Sequence, residues 1–227
     1  IFLFDGAPTY PKIDVLLEYC QSKKINLFGV SAKYIDHLKN EKFNSKHLDL
    51  TSIKIITSTG SPLSEESFKY VYDNIKHDVH LASIAGGTDM VGCLVLGNLY
   101  SNVYKGEIQG QSLAIDVDVF TDDGKSVKDG EKGELVVKQP FPSMPVKFWG
   151  DKSGEKYHKA YFNRFKNIWH HGDFIERTSS NGFIMRGRSD ATLNPGGVRI
   201  GTSEIYQQVE DIDFITEGLV VGQNYKD

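Results

Sequence analysis

Four glycine-bearing stretches hold most of the side chains in this chain that could do chemistry. They are Thr59-Gly60-Ser61-Pro62, Ala85-Gly86-Gly87-Thr88-Asp89, Trp169-His170-His171-Gly172-Asp173, and GRSDATLNPGGVRIG over residues 187–201. The first two close apolar runs that read as strands, and glycines at strand ends let a ligand meet the backbone. The second stretch offers backbone N–H groups, a hydroxyl and a carboxylate, a donor set suited to a phosphate and its Mg²⁺. A carboxylate ending a strand, as at Asp173, is a common way to hold ribose hydroxyls. In the fourth stretch Arg188 and Arg199 are guanidinium donors for phosphate or carboxylate. Asp190 sits where the apolar pattern breaks, and Gly196-Gly197 permits unusual backbone angles.

Each stretch also has a plain structural reading. The glycine-rich pairs fit ordinary surface turns. Asp173 fits a turn aspartate, and the arginine-bearing segment fits a solvated loop with weak ion pairs. His170, His171 and Asp173 suggest a metal site as well, but adjacent residues on a strand point to opposite faces, so both histidines cannot easily share one ion. Neither glycine-rich turn matches a Walker loop or a GxGxxG fingerprint. No CxxC pair, HExxH helix or GxSxG elbow is present. Tyr104, Tyr157 and Tyr161 read as packing or surface groups rather than catalysts.

The elements that must position these residues follow from hydrophobic periodicity. IFLFDG at residues 1–6 predicts a buried strand and turn, and Ile13, Leu16, Leu17 and Cys20 recur at helical spacing. INLFGVS, LTSIKIITSTG and HLASIAGGTDM predict strands. YIDHLKNEK and SPLSEESFKYVYDNI predict helices, the second with Ser64 and Ser67 as caps and Glu65-Glu66 at its positive end. Strands alternating with helices over the first ~90 residues predict βαβ units and a parallel sheet. From about residue 106 the texture changes. Ile115, Val117 and Val119 alternate with Asp116 and Asp118, and Asp123-Gly124 marks a hairpin. This predicts an antiparallel, barrel-like region. SGEKYHKAYFNRF then predicts a helix, and WHHGDFIERTSSNGFIMRGR two strands about a turn at residues 180–182.

Composition narrows the class. A chain of 227 residues with 39% hydrophobic residues can bury a sizeable core. A net charge of -4 argues against nucleic acid as the main partner. No apolar run approaches the roughly 18–20 residues of a membrane span, and no signal segment opens the chain. Two cysteines are too few for a disulfide framework and fit a reducing compartment, so the cytoplasm is expected.

Taken together and in order, the four stretches resemble the acyl-adenylate-forming superfamily of acyl-CoA synthetases, luciferases and peptide-synthetase adenylation domains. The strongest match is GRSDATLNPGGVRIGTSEIYQQVE, which is similar to the family pattern GRxDxxxxxxGxRIxxxEIE. STGSPLSEE, AGGTDMVG, GEIQGQSLA and WHHGDF make the resemblance strongest to the acetoacetyl-CoA synthetase branch. It implies an acid–thiol ligase: a short carboxylic acid such as acetoacetate and Mg-ATP give an acyl-adenylate and pyrophosphate, and CoA then displaces AMP. By this resemblance Gly60, Ser61 and Pro62 line the adenine, and Ser83, Ile84, Ala85, Gly86 and Gly87 flank the adenine and the acyl pocket. Thr88 contacts the α-phosphate, and Asp89 stands at the usual Mg²⁺-binding glutamate. Asp173 holds the ribose, and Arg188 meets ribose or phosphate. Asp190 is the hinge, and Gly197 and Arg199 lie on a loop that swings in for thioester formation. Acetyl-CoA synthetases close the acyl pocket with a tryptophan where Gly86 stands, so the glycine is expected to leave volume for a longer acid.

The implied fold is α/β. Residues 1–189 form the C-terminal portion of a large AMP-binding domain, with a β-rich subdomain at about 106–189, and residues 190–227 begin a small α+β domain. The family's phosphate loop and late lysine are not in this sequence, so the chain is expected to be a fragment, inactive alone. Two other readings remain: a non-catalytic nucleotide- or acyl-binding module, and adenylation with transfer to a carrier protein.

Overall fold

Residues 1–193, 199–210, 212, 215 and 218–222 are described by the computed structural model. The chain divides into two compact units, one of residues 1–84 and 97–106, the other of residues 85–96 and 107–227.

The first unit follows the βαβ expectation. Helix α1 (Val15–Lys23) buries Leu17 and Cys20 and stops at Lys24, whose left-handed backbone turns the chain. Strand β1 (Leu27–Ser31) runs into α2 (Ala32–Asn40), capped by Ser31 Oγ accepting from the Tyr34 N–H. Strand β2 (Ile55–Thr59) is followed by α3 (Glu65–Tyr70), capped by Ser64, which accepts from the Ser67 N–H. Ser67 itself is buried and donates to Asp36. The helix continues as a π turn over Val71–Ile75 and leads to β3 (His80–Ser83). The three strands pair in parallel in the order β1-β2-β3. Ile53, Leu81 and Phe68 are buried at the centre of this unit's core.

The opening apolar run does not form the strand expected of it. Residues 1–5 carry no strand pairing, and Ile1 and Leu3 are exposed. An apolar run becomes a strand only where a neighbour completes its backbone hydrogen bonds, and among the described residues none pairs with it.

The second unit is β-rich. Strands β4 (Ala85–Gly87), β5 (Gly92–Leu96) and β6 (Gly110–Gln111) form one antiparallel sheet. Strands β7 (Val117–Phe120), β8 (Lys132–Val137), β9 (Trp169–Arg177) and β10 (Phe183–Arg188) form another, in the order β10-β9-β8-β7. Helix α4 (Glu155–Tyr161) precedes β9, and α5 (Thr202–Glu210) follows β10. The barrel-like expectation is thus refined to two open sheets, with no closed barrel among the described residues. The predicted turn is present: Gly124 has a φ of 78° and its N–H bonds Thr121 O.

Period two fails at Asp118, which is buried although an outward position was expected. Burial pushes its carboxyl up, but Ser126, the Val119 N–H, Lys138 and Arg177 together hold it below the usual range. A buried carboxylate persists when its lone pairs are all engaged.

Replacing Leu81, fully buried in the first unit, by alanine is expected to lower stability by about 2–5 kcal/mol. Leu99→Ala, at an exposed site of the same unit, should stay within about 0.5 kcal/mol. Urea denaturation midpoints of the two variants check both values.

Candidate functional site

A cavity of about 560 Å³ opens in the second unit. Its wall is assembled from four separate pieces of chain: the β4–β5 turn, the end of α4, the middle of β9 and the segment after β10. These pieces deliver Gly86, Gly87, Asp89 and Arg188, expected from the sequence to meet a ligand, and Asp190, expected as the hinge. Thr88 is exposed in the same turn.

Asp173 lies beside the cavity and is buried. Its Oδ1 accepts from Arg188 Nη1 at 3.0 Å, and its Oδ2 is 3.6 Å from His171 Nε2. Antiparallel pairing sets this arrangement, because Arg188 and Asp173 are direct register partners on β10 and β9. Burial raises the Asp173 carboxyl above its usual range, against the pull of His171 and Arg188. Gly172 makes the geometry possible. Its φ is 82°, and a Cβ there would lie 2.8 Å from Arg188 Nη2, so a side chain would displace the guanidinium and strain the backbone.

The adjacent histidines point apart, as a strand requires. His170 Nε2 meets Glu134 at 2.8 Å, while the His171 ring lies by the cavity and takes a weak 3.4 Å contact from Trp169 Nε1. Among the described residues no group of three or more histidine, cysteine or acidic side chains could hold a metal. Mg²⁺ is usually held by one or two carboxylates together with a ligand's phosphates. Asp89, an exposed carboxylate on the cavity wall, fits that role.

Gly86, expected beside the acyl pocket, also meets a local packing demand. A Cβ at Gly86 would lie 2.0 Å from Gly92 O and 2.6 Å from the Cys93 Cα. The glycine is demanded by the close approach of β5 at the β4 bulge.

Five expected residues belong to the first unit. Gly60-Ser61-Pro62 leaves the carboxyl end of β2, and Ser83-Ile84 leaves that of β3. The two strands are neighbours with Ser58 opposite Ser83, and Ile84 N–H bonds Ser58 O at 2.9 Å. Strand ends of this kind are where open parallel sheets bind ligands. Ala85 begins β4 in the second unit. Gly197 lies outside the described residues.

Arg199 does not line the cavity. Its guanidinium lies 2.7 Å from Glu134 Oε1 and 3.1 Å from Asp122, and it stacks 4.2 Å above the Phe174 ring. Glu134 is fully buried and also receives Arg164 at 3.0 Å, His170, and the Ser189 hydroxyl. Burial alone would push this carboxyl up. Its partners His170, Ser189, Arg199 and Arg164 overcome that and hold it at about 2.

A family model described as AMP-binding enzyme matches residues 1–144. The chain belongs to the AMP-binding enzyme family. Relatives extend the match along the whole chain. Acetoacetyl-coenzyme A synthetase of Rhizobium meliloti (strain 1021) is 55% identical over 226 residues, covering 99% of this chain and 35% of its own length. Acetoacetyl-CoA synthetase of Gallus gallus is 44% identical over 230 residues, covering 100% of this chain and 34% of its own length. The solved structure of acetoacetyl-CoA synthetase from Streptomyces lividans matches with a TM-score of 0.89 at 36% identity, over 98% of this chain and 35% of that one. An anthranilate CoA ligase in complex with anthranoyl-AMP matches at a TM-score of 0.74 and 18% identity, over 89% of this chain and 37% of that one, and shares the fold. The chain spans about a third of the length of the curated relatives it matches.

In this chain, sequence reasoning missed Glu134, Arg164, His171 as a neighbour of Asp173, and Tyr161 in the cavity wall. A partial signal existed for Glu134: it adjoins Leu135-Val136-Val137, a run apolar on both faces and hence part of a strand covered on both sides. Arg164 and Tyr161 carried no such signal, because their partners lie far away in the chain.

Glu134→Gln leaves two guanidinium groups facing a neutral amide and is expected to lower stability by about 3–5 kcal/mol at neutral pH. The carboxyl lies at about 2 in the folded protein, against an ordinary 4.5. Its charge therefore contributes stability, on the order of 3 kcal/mol, that is complete above pH 4.5 and lost as pH falls through about 2. Urea denaturation of both proteins should show the gap narrowing over that interval; a constant gap would assign the loss to something other than the charge.

Proposed function

We propose that the protein containing this chain is an ATP-dependent, AMP-forming acid–thiol ligase acting on acetoacetate. The observation that carries this reading is the 55% identity to an acetoacetyl-coenzyme A synthetase along 99% of the chain. In the first half-reaction a carboxylate oxygen of the acid attacks the α-phosphorus of ATP, giving acetoacetyl-adenylate and releasing pyrophosphate. In the second, the CoA thiol attacks the acyl carbonyl and AMP leaves.

The cavity supports the nucleotide part of this reading. Asp173 would accept hydrogen bonds from the ribose hydroxyls, its carboxylate oriented by Arg188 and His171. Arg188, half of whose side chain is exposed, would present positive charge to ribose or phosphate. The Thr88 hydroxyl and the N–H groups of its turn would meet the α-phosphate. Asp89 would hold Mg²⁺, which when bound neutralises charge on the phosphates. Chemistry of this type rests on positioning and charge neutralisation, so no side-chain nucleophile is needed. Within the first unit taken by itself, Gly60, Ser61, Pro62, Ser83 and Ile84 stand at neighbouring strand ends and would suit an adenine.

Residues 1–189 would belong to the large AMP-binding domain and residues 190–227 to the start of the small one, with Asp190 as the hinge. The exposure of Asp190 and its loose 3.8 Å contact with Arg188 suit a pivot. Arg199 would act in the thioester step only after leaving Glu134. Two free cysteines, and no helix among the described residues long and apolar enough to cross a membrane, suit a cytoplasmic setting with ATP and CoA at hand.

Two measurements test this in a protein of the relatives' full length carrying this chain. Asp173→Ala should weaken ATP binding by about 1–3 kcal/mol, the range for loss of a charge-assisted hydrogen-bonding group; unchanged affinity in a folded variant removes the ribose role. Across acetate, acetoacetate, butyrate and 3-hydroxybutyrate, kcat/KM should be highest for acetoacetate. Equal values for acetoacetate and butyrate would leave the ligase reading standing and overturn the substrate.

A further inference from the structure

Tyr161 is the last residue of α4, and its hydroxyl donates to Asp89 Oδ2 across 72 positions of chain. The ring is buried. It stacks on Trp169 with centroids 3.6 Å apart and planes 11° apart, and Phe148 and Tyr157 close on its edges at 5.7 and 5.4 Å. Trp169 is itself only 2% exposed. A ring held on three sides cannot swing away without dismantling an aromatic cluster, so its hydroxyl is a fixed donor.

Asp89 is the opposite kind of group. It is exposed, short, and set on a turn, where a free carboxylate would sample several rotamers. Two features restrain it. Tyr161 engages Oδ2, and Oδ1 lies directly over Gly87, 2.1 Å from where a Cβ would stand. The turn therefore needs a glycine at 87 for the carboxylate to fold back, and the tyrosine to keep it there. Gly87, Asp89 and Tyr161 all border the same cavity.

We propose that Tyr161 is a positioning residue for the Asp89 carboxylate: it fixes Oδ2 so that Oδ1 is presented to a divalent cation carried on the nucleotide's phosphates. The inference rests on the reading of Asp89 as the cation-binding carboxylate. Groups that orient a metal-binding side chain from behind commonly change metal affinity by about 10–100-fold when removed. Tyr161 touches neither nucleotide nor acid in this role; it acts through Asp89.

The test uses Tyr161→Phe, Asp89→Asn and the double variant, in a protein of the relatives' full length. Phenylalanine keeps the ring on Trp169 and removes only the hydroxyl, and thermal melting checks that each variant is folded. Mn²⁺ binding in the presence of α,β-methylene-ATP is read from the free-ion signal by electron paramagnetic resonance, and binding of the analogue without metal is measured separately. Tyr161→Phe is expected to weaken Mn²⁺ binding about 10-fold and leave metal-free binding of the analogue unchanged. In the Asp89→Asn background the same change should have no further effect, since coupled residues are not additive. Unchanged Mn²⁺ affinity in Tyr161→Phe, where Asp89→Asn does weaken it, overturns the positioning role and leaves the cation reading intact. Equal weakening by Tyr161→Phe in both backgrounds also overturns it, because the effect then bypasses Asp89. If Asp89→Asn leaves Mn²⁺ affinity unchanged, the cation reading itself falls.

Discussion

The carboxylate of Glu134 has no access to solvent, and the second unit is organised around that fact. A buried charge is unfavourable unless its partners are close and its lone pairs are used. Here they come from four places in the chain: Arg164 after α4, His170 on β9, Ser189 just after β10, and Arg199 before α5. None of these segments is local to β8, so satisfying one side chain fixes where the others must lie. One of these partners, His170, lies three residues before Asp173 on β9, the strand whose pairing with β10 sets Asp173 against Arg188.

This has a consequence for the segment beyond β10. Ser189 and Arg199, on either side of residues 194–198, both end at Glu134. Leu193 and Ile200 pair through two backbone hydrogen bonds of 3.0 and 2.9 Å. The Arg199 guanidinium is further held by Asp122 and the face of Phe174. If the proposed hinge turns at Asp190, the interactions that must break include the ion pairs of Arg199 and of Glu204 with Lys132, together with the packing of α5 on β10. Charged contacts of this kind can be exchanged for water or for an anionic ligand.

The cavity shows a related division of labour. Its ligand-facing groups sit on a turn, on β9 and at the end of β10, whereas what holds them is packed aromatic and aliphatic structure. Trp169 shows both aspects: one face stacks on Tyr161, which reaches Asp89, and its indole N–H leans toward His171, beside Asp173. The two carboxylates proposed for cation and ribose are thus supported from one buried ring.

Much of this was legible in the sequence. Alternating apolar runs and helical spacing located the elements of the parallel sheet, and Ser64 with Glu65-Glu66 marked the start of α3, because these signals are local and set by backbone geometry. Glycines and charged residues at strand ends and turns marked Gly87, Asp89 and Arg188, whereas Asp173, read as ending a strand, lies in the middle of β9. Tertiary structure alone decided the rest. Whether residues 1–6 form a strand depends on a neighbour, which periodicity does not report. Asp118 looked outward by alternation, yet it is inside because Arg177 and Lys138 meet it there. Gly86 read as room for an acid, and only the folded chain shows that the backbone of β5 also demands a glycine there. Tyr161 looked like packing until its hydroxyl met a carboxylate 72 residues away. Local spacing encodes which face a residue shows; only the folded chain determines what stands opposite that face.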